Sequence, residues 1–127
     1  MRLEDLDLYN QCLAWEEKIW ETVIKWDYFT KDTIGKQFVR SSDSISSNIA
    51  EGYGRYFYKE NRQFCFYSRG SLLETKGWLL KARQRKLIDD KLCDELLVEL
   101  EIIHKKLNAY IKSIGNKITV PQSPNDQ

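Results

Sequence analysis

The residue types able to do covalent or metal chemistry are few in this chain and far apart. Cys12, Cys65 and Cys93 are its three cysteines, with no Cys-x-x-Cys pair, and His104 is its single histidine. A disulfide framework calls for an even count and a zinc site for close ligand pairs, so the cysteines read as buried free thiols in a reducing compartment. Glu101 precedes His104 by three, the spacing of half a di-iron carboxylate site. A bundle needs two such pairs, so His104 reads as a surface side chain. The sequence contains no phosphate loop, dinucleotide glycine motif, zincin motif or serine elbow. Gly52-Tyr53-Gly54 is too short to cradle a phosphate and reads as a helix end, where glycine tolerates the left-handed conformation. The expectation is a protein that is not an enzyme and has no metal or cofactor. Glu51 and Glu74 fall near small residues. They form either a buried acid pair or, with Arg40, Asn48 and Ser71, a structural polar cluster, because a buried charge is costly without partners.

Charge is the more informative chemistry. The net charge is +1, but Tyr56 to Ile88 holds eight basic and two acidic residues, whereas Met1 to Trp26 holds three basic and six acidic. Asp27 to Arg55 has four of each, and Asp89 to Gln127 has five basic and seven acidic. Arg62, Arg69, Lys76 and Arg83 recur every seven residues and so form a column about 30 Å long on one side of a helix. With Arg55 and Lys59 the column makes a candidate nucleic-acid site, since each neutralised phosphate releases counterions. Tyr56, Phe57 and Tyr58 could stack on bases or pack at the bundle end. The competing reading is a solvated helix face balanced by acidic first and fourth helices.

Four helices must position these groups. The chain has 127 residues, enough for one domain, and no proline before Pro121. Helix one is expected over 6–25, with Leu6, Tyr9, Leu13, Ile19, Trp20, Val23 and Ile24 on its apolar stripe and Asp5 or Asp7 as cap. Helix two is capped by Thr30, Asp32 or Thr33, carries Ile34, Phe38, Ile45, Ile49 and Tyr53, and ends at Gly52 or Gly54. Its Ser-rich middle has poor propensity but allows close backbone approach. Helix three runs from Lys59 or Glu60 to about Lys86 on Phe64, Tyr67, Ser71, Trp78 and Ala82, broadened by Leu72, Leu73, Leu79 and Leu80. Gly70 inside it implies a close helix–helix contact. Helix four carries Leu92, Leu96, Leu100, Ile103, Leu107, Tyr110 and Ile114 at heptad spacing and closes at Gly115-Asn116. The result is an all-α, antiparallel up-down-up-down four-helix bundle over 1–116 with a flexible polar tail over 117–127. No stretch reaches the roughly 20 apolar residues of a membrane span, and the acidic N-terminus does not read as a signal peptide, so a cytoplasmic protein is expected.

The segment Arg40 to Arg55, with Ser44, Ile45, Ser47, Asn48, Ile49, Ala50, Glu51 and Gly52, followed by Gly70, Ser71, Leu72 and Glu74, resembles a known family. It is similar to the four-helix-bundle proteins of 23S rRNA intervening sequences, also called S23-type ribosomal proteins. The accessory variability determinant of diversity-generating retroelements is related to them. The resemblance spans roughly Leu6 to Ile114. It implies a homopentamer around a central channel and, for the retroelement member, a basic surface that binds nucleic acid and a partner reverse transcriptase. This chain departs from the strongly basic members in being almost neutral.

Two functions follow as expectations. One is an oligomeric accessory protein that associates with RNA or DNA through Arg55, Lys59, Arg62, Arg69, Lys76 and Arg83. The other is a protein-interaction scaffold using Trp15, Trp26 or Phe57 as exposed anchors. Large residues off the main stripes, Trp15, Trp26, Phe66 and Leu80, predict self-association.

Overall fold

The computed structural model describes residues 1–119. A single 3-10 turn, Leu3–Asp5, leads into α1, Asp7–Val23. α2 is one continuous helix made of an α turn, Tyr28–Thr30, a π turn, Lys31–Gly35, and a long α segment, Lys36–Tyr53. α3 is Tyr58–Gln84 and α4 is Asp90–Thr119. They form an antiparallel four-helix bundle in which α1 packs on α2 and α4, and α3 packs on α2 and α4.

The heptad reading of α4 holds. Leu96, Leu100, Ile103, Leu107 and Ile114 are buried, and Leu92 and Tyr110 flank them. In α2, Ile34, Phe38, Ile45 and Ile49 are buried as the spacing requires. Its cap is Asp27 rather than Thr30, Asp32 or Thr33: the Asp27 carboxylate accepts the Thr30 N–H at 2.8 Å. The capping hydrogen bond holds Asp27 below the usual carboxylate range.

The phase of α3 differs by one position from the expected stripe. Its buried residues are Cys65, Ser68, Leu72, Thr75, Leu79 and Ala82, an uninterrupted three-four alternation. Tyr67 and Leu73 are exposed, and Phe64, Ser71 and Trp78 lie at the margin. Ser68 and Thr75 can occupy core positions because their hydroxyls find acceptors. Ser68 Oγ donates to Ile45 O at 2.6 Å, and Thr75 Oγ1 lies 2.9 Å from Ser41 Oγ and 2.7 Å from Ser71 O.

The glycine expectations separate. Gly52 lies inside α2, and a Cβ there would meet Asn61 Oδ1 at 2.7 Å and Asn61 O and Phe64 Cβ at 2.9 Å. Its role is therefore close approach of α3. Among the described residues only Lys86 has positive φ, so neither Gly52 nor Gly54 ends the helix in the left-handed region. Gly70 has no neighbour within 4 Å of a Cβ position and faces outward, which removes the helix contact expected for it within one copy. α4 passes straight through Gly115-Asn116, so Lys117 to Thr119 are helical rather than tail. The remainder of the expected tail, 120–127, lies outside the described residues.

Trp15 and Trp26 are not exposed anchors. Trp15 is buried and donates its indole N–H to Leu96 O, and Trp26 does the same to Leu87 O while half-buried. Phe66 and Leu80 are also half-buried. Phe57, in the α2–α3 connection, is exposed as expected, and the other large apolar residues left outside include Leu13, Trp20 and Ile24 on α1, Leu73 on α3, and Val98 and Ile102 on α4.

Candidate functional site

The four cations spaced by seven do form a column, and it runs along the seam between α3 and α4. Arg62 lies over Gly115, its Nη1 3.6 Å from where a Cβ would stand. Arg69 Nη1 donates to Asn108 Oδ1 at 3.0 Å and its guanidinium covers the Phe66 ring. Lys76 lines one groove together with Glu101. Arg83 pairs with Asp94 at 3.6 Å. As the column climbs α3 by sevens, its neighbours descend α4 by sevens, because antiparallel helices with matched repeats stay in step.

The other two candidate cations differ from each other. Arg55 is held by Glu51 at 2.6 Å, lies 3.9 Å from Glu60, and stacks over Phe64. Lys59 is exposed, and like Lys76 it forms no ion pair among the described residues. Tyr56, Phe57 and Tyr58 beside it are exposed, with Tyr56 and Phe57 in edge-to-face contact.

The expected polar cluster of Arg40, Asn48, Glu51, Ser71 and Glu74 is not brought together. Arg40 is exposed, Asn48 bonds back to Ser44 O, and Ser71 supplies only its carbonyl to Thr75. Glu51 and Glu74 are both exposed, the former pairing with Arg55 and the latter accepting the Trp78 indole N–H. They are on the surface because each has a local partner one helical turn away, which costs no burial.

A buried polar group does exist, built around a residue the sequence reading passed over. Glu16 is 6% exposed, and its carboxylate accepts the Ser46 N–H at 3.0 Å and the Ser46 hydroxyl at 2.7 Å. Burial pushes the carboxyl up to about 8 against the lowering pull of Ser46, with Asp43 adding to the rise. Ser42, one turn before Ser46, has a buried hydroxyl without a partner. One signal for Glu16 was present in the sequence. It follows Trp15 in the run Leu8, Cys12, Trp15, Ile19, Val23, at a position that a broad helical core stripe includes.

Among the openings on the surface formed by the described residues, two lie along α4. The larger, about 420 Å³, is the α3–α4 groove walled by Leu72, Leu97, Val98 and Ile102 with Lys76 and Lys105 on it. The smaller, about 180 Å³, lies between α1 and α4 beside Gln11, Ala14 and Lys18. Among the described residues no group of three or more His, Cys, Asp and Glu side chains could hold a metal, and no helix is long and apolar enough to cross a membrane.

The model of the 23S rRNA-intervening sequence protein family matches residues 4–109. This chain belongs to that family. A crystal structure of a protein of unknown function from the S23 ribosomal protein family of Bacteroides thetaiotaomicron is similar to it, with a TM-score of 0.74 at 20% identity. The similarity covers 83% of this chain and 98% of that one, and it shows the shared helical fold. No curated protein matches. In this chain the residues that carry the resemblance divide in two. Ile45 and Gly52 make the α2–α3 contact and Ile49 is buried in the core, whereas Gly70 and Glu74 face outward.

Proposed function

We propose that this chain is a non-enzymatic assembly module that works as a homo-oligomer, with five copies the number that the resemblance implies. The observation that carries the reading is the set of large apolar side chains left uncovered on helices whose cores are already complete. Leu13, Trp20 and Ile24 on α1, and Leu73, Val98 and Ile102 on α3 and α4, are each at least 42% exposed. A single copy rarely leaves so many large residues in contact with water. The absence of enzymatic activity is supported by the state of the nucleophiles. Burial pushes the Cys12 and Cys65 thiols up to about 12, so neither supplies a thiolate near neutral pH. Sedimentation equilibrium at micromolar concentration is the test. The expected result is a multiple of the 15.1 kDa chain mass, and a lone 15.1 kDa species sinks the reading.

A second reading, association with RNA or DNA, is favoured by one specific arrangement. Lys59 and Lys76 stand unpaired on α3 among the described residues, with Tyr56, Phe57 and Tyr58 exposed nearby in sequence. Arg62, Arg69 and Arg83 contribute less to it, since the α4 seam already occupies them. Short labelled RNA and matched DNA, titrated across a salt series, should bind with an affinity that falls steeply with salt. The Lys59→Glu/Lys76→Glu variant should lose that binding while staying folded. No binding at low salt removes this reading and leaves the assembly module, with any protein partner, such as a reverse transcriptase, to be sought by pull-down.

A further inference from the structure

Two of the uncovered apolar surfaces have opposite shapes and opposite charges. On α1, Leu13, Trp20 and Ile24 recur at helical spacing on the side away from the buried Leu8, Cys12, Trp15 and Ile19, and so form a ridge. Glu17 and Glu21, both exposed, stand along that ridge, and Asp43 of α2 lies close enough to Glu17 for its carboxyl to feel that charge. The α3–α4 groove is a concavity of about 420 Å³ with an apolar wall, and Val98 and Ile102 stand at its exposed edge. Its charged groups are Lys76 and Lys105 against one acid, Glu101.

We infer that the α1 ridge of one copy seats in the α3–α4 groove of the next, so that copies join head to tail through two different faces. The inference rests on the homo-oligomer reading and names its interface. Ridge against ridge would set Glu17 and Glu21 against the same acids of the other copy, and groove against groove would oppose Lys76 and Lys105 to themselves. Ridge against ridge opposes acids with no lysine between them, groove against groove sets two lysines of each copy against a single acid of the other, and like-charge juxtaposition across an interface is unfavourable. Ridge into groove places acids beside lysines and covers apolar surface on both sides in one step, the same fit by which helices pack within a protein. Because the two faces lie on different helices, each copy can use both at once, and the contact is heterologous rather than self-complementary.

A mixing experiment tests this directly. Trp20→Glu breaks the ridge and leaves the groove; Val98→Glu breaks the groove and leaves the ridge. Trp20 is 49% and Val98 63% exposed, so neither change enters the core. Each variant alone should sediment as a 15.1 kDa monomer, and a 1:1 mixture should give a complex of twice that mass and nothing larger. The intact ridge of one would fill the intact groove of the other, and both free ends would be blocked. If either variant fails to fold by circular dichroism, Leu13→Glu and Ile102→Glu make the same pair. An oligomeric wild type whose variants stay oligomeric alone, or stay monomeric when mixed, overturns the head-to-tail interface and leaves the homo-oligomer standing. A monomeric wild type overturns both.

Discussion

Between α2 and α3 the bundle closes on small residues. Gly52, Ser41, Ser68 and Thr75 bring the two backbones together, and each hydroxyl is satisfied by a group of the facing helix or of its own preceding turn. Between α1 and α4 it closes on long ones. Lys18 meets Glu99 at 2.8 Å, Lys106 meets Asp7 at 2.7 Å, and Trp15 reaches across to Leu96 O, with a surface opening of about 180 Å³ beside them. Gln11 Oε1, in that seam, is buried without a hydrogen-bond partner. The first interface has no room for an added atom, whereas the second can lose one and let its neighbours or water fill in. Rigidity therefore belongs to the α2–α3 half, and the α1–α4 half is the one able to adjust.

The sharpest way to break the contrast is to add a methyl on the tight side. Gly52→Ala would press a Cβ to within 2.9 Å of the Asn61 backbone oxygen and Phe64 Cβ. The expected loss is about 3 kcal/mol in chemical unfolding, the upper part of the range for overpacked sites. A wild-type midpoint in that variant would show that α3 can retreat.

Glu16 tests the junction between the two halves, where α1 meets α2. Its folded carboxyl titrates near 8 against 4.5 for the ordinary value, so the folded state holds the extra proton between those limits. Stability should therefore fall as pH rises across that window and level off above about 8. Glu16→Gln should abolish that slope and raise stability at pH 7 by about 2 kcal/mol, read from urea midpoints across the pH series. An unchanged slope would place the titrating group elsewhere.

Gly70→Ala is the control for Gly52→Ala. With open space around its Cβ position, it should gain about 1 kcal/mol from helix propensity, measured on dilute protein. The smallest effect belongs to the loose seam. Lys106→Ala removes an exposed ion pair and should cost under about 0.5 kcal/mol, vanishing at high salt. A larger, salt-insensitive loss would mean that the α1–α4 seam is as tightly specified as α2–α3.

The fold was legible where apolar side chains alone mark the core. The spacing of Leu96, Leu100, Ile103 and Leu107 located α4, and Phe38, Ile45 and Ile49 located α2 through a Ser-rich stretch of poor propensity. The phase of α3 was not, because Tyr67 and Trp78 look more like core than Ser68 and Thr75. A hydroxyl becomes a core residue only when an acceptor on another helix is in place, and a single sequence does not show that acceptor. The same limit governed the candidate site. A period of seven gathered Arg62, Arg69, Lys76 and Arg83 on one side of α3 without saying which helix that side would face. Glu16 was missed for the complementary reason, since its donors on Ser46 lie thirty residues away.

The paired descent of that column past α4 has a consequence for how the chain finds its alignment. Sliding α4 by one turn, about 5.4 Å, displaces the three contacts of Arg62, Arg69 and Arg83 together, because they share a single repeat. Asn108 leaves Arg69, Asp94 leaves Arg83, and Gly115 no longer offers Arg62 its gap. Each contact is weak, yet a wrong offset forfeits the whole set at once. The seam acts as a vernier between two helices and fixes their relative position rather than adding much strength.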